Sequence, residues 1–156
     1  MNHKVVSENW KEGEWRLPGF SCITFADGQV IILNYEVFRD TAARKKVVFC
    51  GPLCDTTIES MEKYEPLLWT EIDPWTKVAY EDGYIFGGSG AMGNEGFIAH
   101  TDQQYQLQWG IFFVQTNPIR RVEIHHDNLI AINEHEELQI QINLKNLTEI
   151  TVHIIE

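Results

Sequence analysis

The sequence predicts a mainly β protein, an antiparallel sandwich or barrel-like single domain over residues 1–156 with one or two short inserted helices. Three observations favour this fold class. Apolar and polar side chains alternate along several segments, as they do in a sheet with one buried face. Turn signals recur at short spacing, which favours antiparallel connections over parallel βαβ units. The chain is 44% hydrophobic and 12% aromatic, which is enough to bury the core of one domain.

The first strong element signal is a hairpin. The segments 20–25 and 29–33 flank Asp27-Gly28, a dipeptide that accepts positive φ in a type I′ turn. Residues 47–50 then predict a short strand that stops at Gly51-Pro52. The residues before this hairpin favour no single element.

Residues 56–65 predict a helix of about two turns. Thr56 and Glu59 have the spacing of a capping box, and Pro66 ends the run. Residues 67–77 predict a loop or an irregular helix.

Strands dominate the middle of the chain. Residues 78–80 and 84–86 flank a glycine-containing turn, and the glycine-dense segment 87–96 follows. Residues 105–113 alternate and predict a strand with one apolar face, formed by Tyr105, Leu107, Trp109, Ile111 and Phe113.

The last third predicts a meander of alternating strands. Turn signals at His126-Asp127-Asn128 and Lys145-Asn146 separate them, and a charged loop covers 133–137. Across the whole chain, the predicted core consists of Ile23, Ile32, Phe49, Phe97, Leu107, Trp109, Ile111, Phe113, Ile124, Ile140, Ile142 and Val152.

Charge and composition exclude several functions. The net charge is −11, from 23 acidic and 12 basic residues, which disfavours binding to nucleic acid and to acidic membranes. A basic partner would instead be attracted and steered. No apolar run reaches the length of a membrane span, and no apolar region follows Met1, so we expect a cytoplasmic protein with reduced cysteines.

The glycine-dense segment fits no catalytic motif. A phosphate-binding loop needs a lysine before a helix, and here no lysine follows. Ser89 does not lie in a Gly-x-Ser-x-Gly motif. Two interpretations stay open, a bulged β-connection and a loop shaped to receive a partner, the second formed by Ser89, Met92, Asn94 and Glu95.

Metal and cofactor signals are weak. His125 and His126, with Glu123 nearby, are the densest group of candidate ligands, but a solvated strand end explains them as well. Cys50 and Cys54 are separated by three residues, with no second ligand pair near them. We therefore predict no metal, no cofactor and no catalytic residue.

Other candidate binding residues are aromatic or acidic. Trp69 and Trp75 lie near prolines and acidic residues, where an exposed tryptophan can anchor a ligand or a protein. Glu134, Glu136 and Glu137 form an acidic run that suits a basic partner or a solvated loop.

These features favour a non-catalytic, cytoplasmic protein-binding domain of bacterial or phage type, comparable to an immunity protein that occludes a basic partner. Two alternatives stay open. One is a small-ligand-binding domain or enzyme with a sheet cavity lined by Gln106, Gln108, Gln139, Gln141 and aromatic residues. The other is a homo-oligomeric structural subunit.

Overall fold

The computed structural model describes residues 3–42 and 44–155. Of the described chain, 63% is strand and 9% is helix, which confirms the mainly β prediction. In chain order, the elements are α1 (Lys4–Asn9), β1 (Trp10–Lys11), β2 (Glu14–Pro18), β3 (Cys22–Phe25), β4 (Gln29–Asp40), β5 (Lys45–Thr57), α2 (Ile58–Tyr64), β6 (Trp69–Glu71), β7 (Asp73–Tyr80), β8 (Gly83–Ser89), β9 (Gly96–Asp102), β10 (Leu107–Phe113), β11 (Ile119–His125), β12 (Asn128–Asn133), β13 (Leu138–Asn143) and β14 (Asn146–Ile154).

The described strands form three antiparallel sheets. The largest has the order β5-β4-β3-β10-β9-β8-β7, the second is β11-β12-β13-β14, and the third is β1-β2-β6. β14 lies beside β5, and β11 lies beside β7 and β8. The four-stranded sheet therefore crosses the seven-stranded sheet from one edge to the other, which is sandwich packing.

A first hydrophobic cluster fills the space between these two sheets. Ile98 and Ile111 enter it from the seven-stranded sheet, and Ile140 and Ile142 enter it from the four-stranded sheet. All four are fully buried. Each such side chain contributes about 1.5–3 kcal/mol relative to leaving it exposed, so this cluster holds the sandwich together.

A second hydrophobic cluster lies on the opposite face of the seven-stranded sheet. Val6 of α1, Leu17 of β2 and Ile58 of α2 cover Phe97 and Phe112 there. The central strands are thus buried on both faces. This explains why β9 and β10 carry continuous apolar runs rather than strict alternation.

The β3–β4 hairpin forms where it was predicted, but its turn is not type I′. Gly28 has a φ of 90°, whereas Asp27 does not have positive φ, and a type I′ turn needs positive φ at both central positions. The Gly28 N–H donates to the Phe25 carbonyl at 3.0 Å. A Cβ at Gly28 would lie 2.7 Å from the His3 ring, so packing also requires glycine here.

The prediction that a short strand ends at Gly51-Pro52 is wrong. β5 continues to Thr57, because an extra residue, Leu53, forms a bulge opposite the step from Ile32 to Leu33. A bulge on an edge strand accommodates proline without breaking the sheet.

The predicted core is buried except at three positions. Ile32 and Ile124 are half-buried against the two clusters. Phe49 is 49% exposed, and its place in the predicted core is wrong. Its neighbours Val48 and Cys50 enter the first cluster, so the alternation along β5 does exist and Phe49 lies on the outward face.

The predicted helix is present but shorter than expected, over Ile58–Tyr64. Thr57 is its N-cap, with a side-chain oxygen that accepts from the Ser60 N–H at 3.2 Å. Thr56 still belongs to β5. The capping box predicted between Thr56 and Glu59 is therefore wrong by one residue.

Two segments differ from the sequence expectation. Residues 67–77 contain β6 and most of β7, which pair with β2 and β8, so the prediction of a loop or irregular helix is wrong there. The N-terminal segment, for which no element was predicted, forms α1 and the β1–β2 hairpin.

The alternation predicted from Tyr105 begins later. Tyr105 has a φ of 63° and lies in a turn, where its N–H donates to the Asp102 carbonyl. A bulge separates Leu107 from Trp109, so Leu107 enters the second cluster and Trp109 the first. The common face predicted for these three residues is wrong, because a bulge shifts the alternation by one residue.

The C-terminal meander is as predicted. β11 to β14 are sequential antiparallel neighbours, and the turns fall within one residue of the predicted positions. Residues 126–127 and 144–145 form them, whereas Asn128 and Asn146 already begin strands. Ile140 and Ile142 face the first cluster, whereas Gln139 and Gln141 are half-buried on the outer face.

Candidate functional site

The glycine-dense segment is partly strand and partly loop. Gly87, Gly88 and Ser89 belong to β8, Gly96 begins β9, and 90–95 forms the connection. A Cβ at Gly88 would meet the Asp73 carbonyl and the Phe97 ring, and one at Gly87 would lie 2.8 Å from Ile119. These two glycines therefore permit close packing of strands and core.

Three loops meet at one end of the molecule: the glycine loop (90–95), the turn 115–118 and the acidic loop (134–137). We call them the loop cluster. The Asn117 N–H donates to the Asn94 carbonyl at 2.9 Å, and the Glu134 N–H donates to the Pro118 carbonyl at 2.8 Å. Candidate binding residues that lie 40 positions apart in sequence, such as Asn94 and Glu134, are thereby brought to one region.

Asn133 fixes the acidic loop, and sequence reasoning assigned it no role. Its side-chain amide donates to the Thr116 carbonyl at 2.9 Å. Its Oδ1 accepts from the N–H groups of Glu137 and Leu138 at 2.8 and 3.0 Å. Asn133 is buried and holds the backbone of the acidic loop through these three hydrogen bonds, whereas the Glu136 and Glu137 side chains stay exposed to solvent.

The carboxylates of the loop cluster face solvent to different degrees. Glu134 is half-buried beside His135, with the Oε2–Nε2 distance at 3.6 Å, whereas Glu136 and Glu137 are exposed. Glu136 lies 4.0 Å from the Arg121 guanidinium. Glu95 is half-buried and accepts from the Met92 N–H at 3.0 Å, which shapes the glycine loop.

Two exposed apolar side chains lie on or beside the loop cluster. Met92 is 64% exposed in the glycine loop, and Trp75 is 44% exposed. Trp75 is the extra residue of a bulge in β7 opposite Gly87 and Gly88. Asp73, at the start of the same strand, pairs with Ser89, which directly precedes the glycine loop. These side chains have the size and exposure of anchors for a partner surface.

Trp69 is not part of this arrangement. It is half-buried in β6 against the second cluster, and its indole N–H donates to Glu62 Oε2 at 3.0 Å. A partly buried tryptophan whose indole N–H has a hydrogen-bond partner is explained by packing. The prediction of Trp69 as a binding residue gains no support from this placement.

The two histidines considered as metal ligands are both exposed. His125 Nε2 lies 3.3 Å from Glu123 Oε2, and His126 has a φ of 58° in the following turn. Among the described residues, no group of three His, Cys, Asp or Glu side chains has the geometry to hold a metal ion. Among the described residues, the contact between His125 and Glu123 is therefore the only observation in favour of a metal site here.

The cysteines differ in exposure. Burial raises the pKa of Cys22 and of Cys50 to about 12, so both remain protonated thiols at neutral pH. Cys54 is exposed on β5. A buried thiol that stays protonated is not an activated nucleophile.

A second candidate site, which we call the aromatic pocket, lies under the β1–β2 hairpin. It is an open cavity of about 590 Å³ whose walls include Trp10, Trp15, Phe86, Tyr105, Gln104 and Gln106. The Trp10 and Trp15 rings stack with centroids 4.4 Å apart, and Phe86 meets Trp15 edge-on at 4.8 Å. The Trp10 indole N–H donates to the Tyr105 carbonyl at 3.0 Å, which ties the hairpin to the opposite wall.

The Lys77 ammonium group lies against the outer side of this aromatic group. Tyr84 and Tyr105 stack at 5.3 Å, and Lys77 Nζ lies 4.7 Å from the Tyr84 ring centroid. The same Nζ lies 3.4 Å from the Tyr105 hydroxyl. This contact, favourable by about 0.5–1 kcal/mol at exposed sites, helps to fix the wall that Tyr105 contributes.

Sequence reasoning missed the aromatic pocket, although one signal was present. Trp10 and Trp15 flank four polar or small residues including Gly13, which has a φ of 81°. This pattern fits a tight hairpin with two tryptophans opposite one another, and Trp10 and Trp15 are indeed paired. The partner wall from residues 104–107 could not be inferred locally, because it is about 90 positions away in the sequence.

Comparison of the chain with models of protein families, with curated proteins and with solved structures finds no match. Within the described residues, no helix has the length and apolar character needed to span a membrane.

Proposed function

We propose that this protein is a non-catalytic, cytoplasmic binding protein that occludes a basic protein partner with its loop cluster, in the manner of an immunity-type or phage inhibitor. One observation carries this proposal: backbone hydrogen bonds tie both the glycine loop and the acidic loop to the same turn, 115–118, at one end of the molecule. The analogy with immunity proteins is one of physical class alone.

The charge of the chain supports a basic partner. A net charge of −11 accelerates encounter with a cationic surface, and the acidic loop gives that attraction a direction. Trp75 and Met92 supply apolar area beside the carboxylates. Affinity would come mainly from these desolvated anchors, and the charges would act mainly on the association rate.

The first experiment identifies the partner and then tests the site. Native mass spectrometry of the tagged protein, drawn gently from its host's lysate, should show a stoichiometric basic protein. Association with that protein is then measured at low salt for the triple variant E134K/E136K/E137K. We expect the association rate constant to fall by about tenfold or more, because the reversed charges repel the partner.

A matched control variant distinguishes the effect of the position of these charges from the effect of the protein's net charge. E8K/E14K/E71K changes the charge by the same amount at exposed positions outside the loop cluster. It should slow association much less than the loop variant. Equal slowing by both variants, or none by the loop variant, would remove the acidic loop from the interface, and a lysate that yields no basic protein would contradict the proposal itself.

A small-ligand-binding function is the second candidate, favoured by the aromatic pocket. Its volume of about 590 Å³ lies within the roughly 300–1,000 Å³ of small-molecule sites, and ring faces with amide side chains are common there. Of the glutamines predicted to line a cavity, Gln106 lines this one, whereas Gln139 and Gln141 lie on the four-stranded sheet.

Thermal unfolding tests this second function. Sugars, nucleotides and divalent metals are added singly, and a ligand of the native state should raise the melting temperature. Trp15→Ala should abolish that rise, whereas Trp75→Ala should leave it. If none of these compounds raises the melting temperature, this candidate loses its support.

A further inference from the structure

The β4–β5 hairpin extends beyond the rest of its sheet. β3 pairs with β4 only from Val30 to Ile32. In the described chain, residues 34–40 of β4 pair with β5 alone. We call the described residues from 34 to 51 the arm.

One face of the arm carries a strip of exposed aromatic residues. Phe38 and Phe49 are each 49% exposed. Their cross-strand partners are Val47 and Glu36, so alternation places both phenylalanines on the face opposite the first cluster, which Val48 enters from β5. Glu36 is the one charged side chain on this part of the strip.

At the base of the arm, the same face opens into an apolar groove. The groove has a volume of about 360 Å³ and lies between α2 and β4–β5. Its walls include Phe20, Ile32, Met61 and Tyr64, of which Phe20 is 40% and Tyr64 73% exposed. Strip and groove together form a long apolar surface of the kind that marks an interaction site.

The two ends of this surface carry opposite charge. The tip of the arm has four exposed basic residues, namely Arg39, Arg44, Lys45 and Lys46. Arg39 and Lys46 are cross-strand partners on the opposite face, so the basic charge next to the strip comes from Lys45, which is paired with Asp40, and from Arg44 in the turn. α2 and its end carry Glu59, Glu62 and Glu65 against Lys63. Of these, Glu65 lines the groove, whereas Glu59 contacts His3 and Glu62 accepts from the Trp69 indole. An antiparallel copy of the same surface would therefore place basic tips against acidic helices.

We propose that a second copy of this chain covers this face, in a two-fold dimer with antiparallel arms. Phe38 and Phe49 of one copy then enter the groove of the other, and each basic tip lies against the partner's α2. Such an interface is isologous, because one surface carries both the protruding rings and their groove. The six residue steps from Ile32 to Phe38 span about 20 Å. The groove and the rings are therefore far enough apart for each copy to insert its rings into the other copy's groove.

The first test replaces a ring with a charge. Sedimentation velocity over about 1–100 µM should show a dimer for the wild type, and Phe38→Asp should weaken dimerisation by about 30-fold or more, as expected for a central anchor. Val37→Asp is the matched control, because Val37 is 46% exposed on the other face of the same strand. Far-ultraviolet circular dichroism confirms that both variants fold.

Charge reversal then tests the arrangement itself. R44E/K45E gives both ends of the face negative charge, and E59K/E65K gives both ends positive charge. Each variant alone should be monomeric, whereas an equimolar mixture should form a heterodimer, because both tip-to-helix contacts then join opposite charges.

A wild type that stays monomeric at about 100 µM would overturn the proposal, as would loss of the dimer by Val37→Asp but not by Phe38→Asp. Failure of the mixture to associate would overturn the antiparallel arrangement. Binding of a foreign protein to the arm of a monomeric chain would show that the face serves a different occupant.

Discussion

Glycines within a single segment of this chain meet different physical demands. Gly88 is buried in β8, where an added Cβ would meet the Asp73 carbonyl and the Phe97 ring. Gly93, five residues later, is exposed and has no atom within 4 Å of the position of a Cβ. The same residue type is thus a packing requirement at one position and a simple loop residue at the other.

We expect Gly88→Ala to lower the free energy of unfolding by about 1–3 kcal/mol or more, because backbone must move to admit the methyl group. Gly93→Ala should change it by no more than about 0.5 kcal/mol. Urea denaturation monitored by fluorescence compares the two. A neutral Gly88→Ala would show that β7 and β8 are not as close as described.

His100 gives the fold a pH dependence. Burial lowers the pKa of His100 below its usual value, against the opposing effect of the Glu81 and Asp102 carboxylates. The ring lies 5.0 Å from Tyr80 and 5.8 Å from Trp109, centroid to centroid. The folded state therefore binds a proton less readily than the unfolded chain.

A group whose pKa is lowered by folding destabilises the native state as the pH falls. Above about pH 6.5 the imidazole is neutral in both states, and below it the unfolded chain gains the proton first. We expect the free energy of unfolding to fall between about pH 7 and pH 5, with a shallower decline in His100→Gln. Denaturant titrations across this range measure both slopes, and identical slopes would contradict the assignment.

At the scale of elements, the sequence predicts the helix α2 correctly but places its N-cap one residue too early. Thr56 and Thr57 are adjacent, and local rules favour either as the cap. β5 decides between them, because Thr56 remains paired with Val30 in the sheet.

We therefore expect Thr57→Ala to lower the free energy of unfolding by about 1 kcal/mol, since it removes the acceptor of the Ser60 N–H. Thr56→Ala, the matched control, should cost clearly less. Equilibrium unfolding in urea distinguishes them. A larger loss at Thr56 would restore the capping box that the sequence predicted.

At the scale of the whole molecule, β10 couples the two hydrophobic clusters. Ile111 enters the first cluster and its neighbour Phe112 enters the second, and both are buried. Because both clusters contain side chains of β10, we expect the two layers to unfold together.

We expect Ile111→Ala and Phe112→Ala each to lower the free energy of unfolding by about 2–5 kcal/mol. Fluorescence and circular dichroism should still report one coincident transition in each variant. Separate transitions in either variant would show that the layers unfold independently. That result would also contradict the prediction of a single domain.

The sequence by itself determined the β class, most of the core and the C-terminal meander. These features depend on alternation and turn residues within about ten positions, as in Ile140 and Ile142 against Gln139 and Gln141. Only the tertiary structure decided which faces Leu107 and Phe49 occupy. A bulge puts Leu107 and Trp109 on opposite faces of the sheet, and Phe49 is exposed because it lies on the uncovered face of the arm. Neither effect is visible in the local sequence pattern. It also decided which loops meet and that Trp10 and Trp15 face Tyr105, since such contacts join distant parts of the chain whose pairing no local propensity specifies.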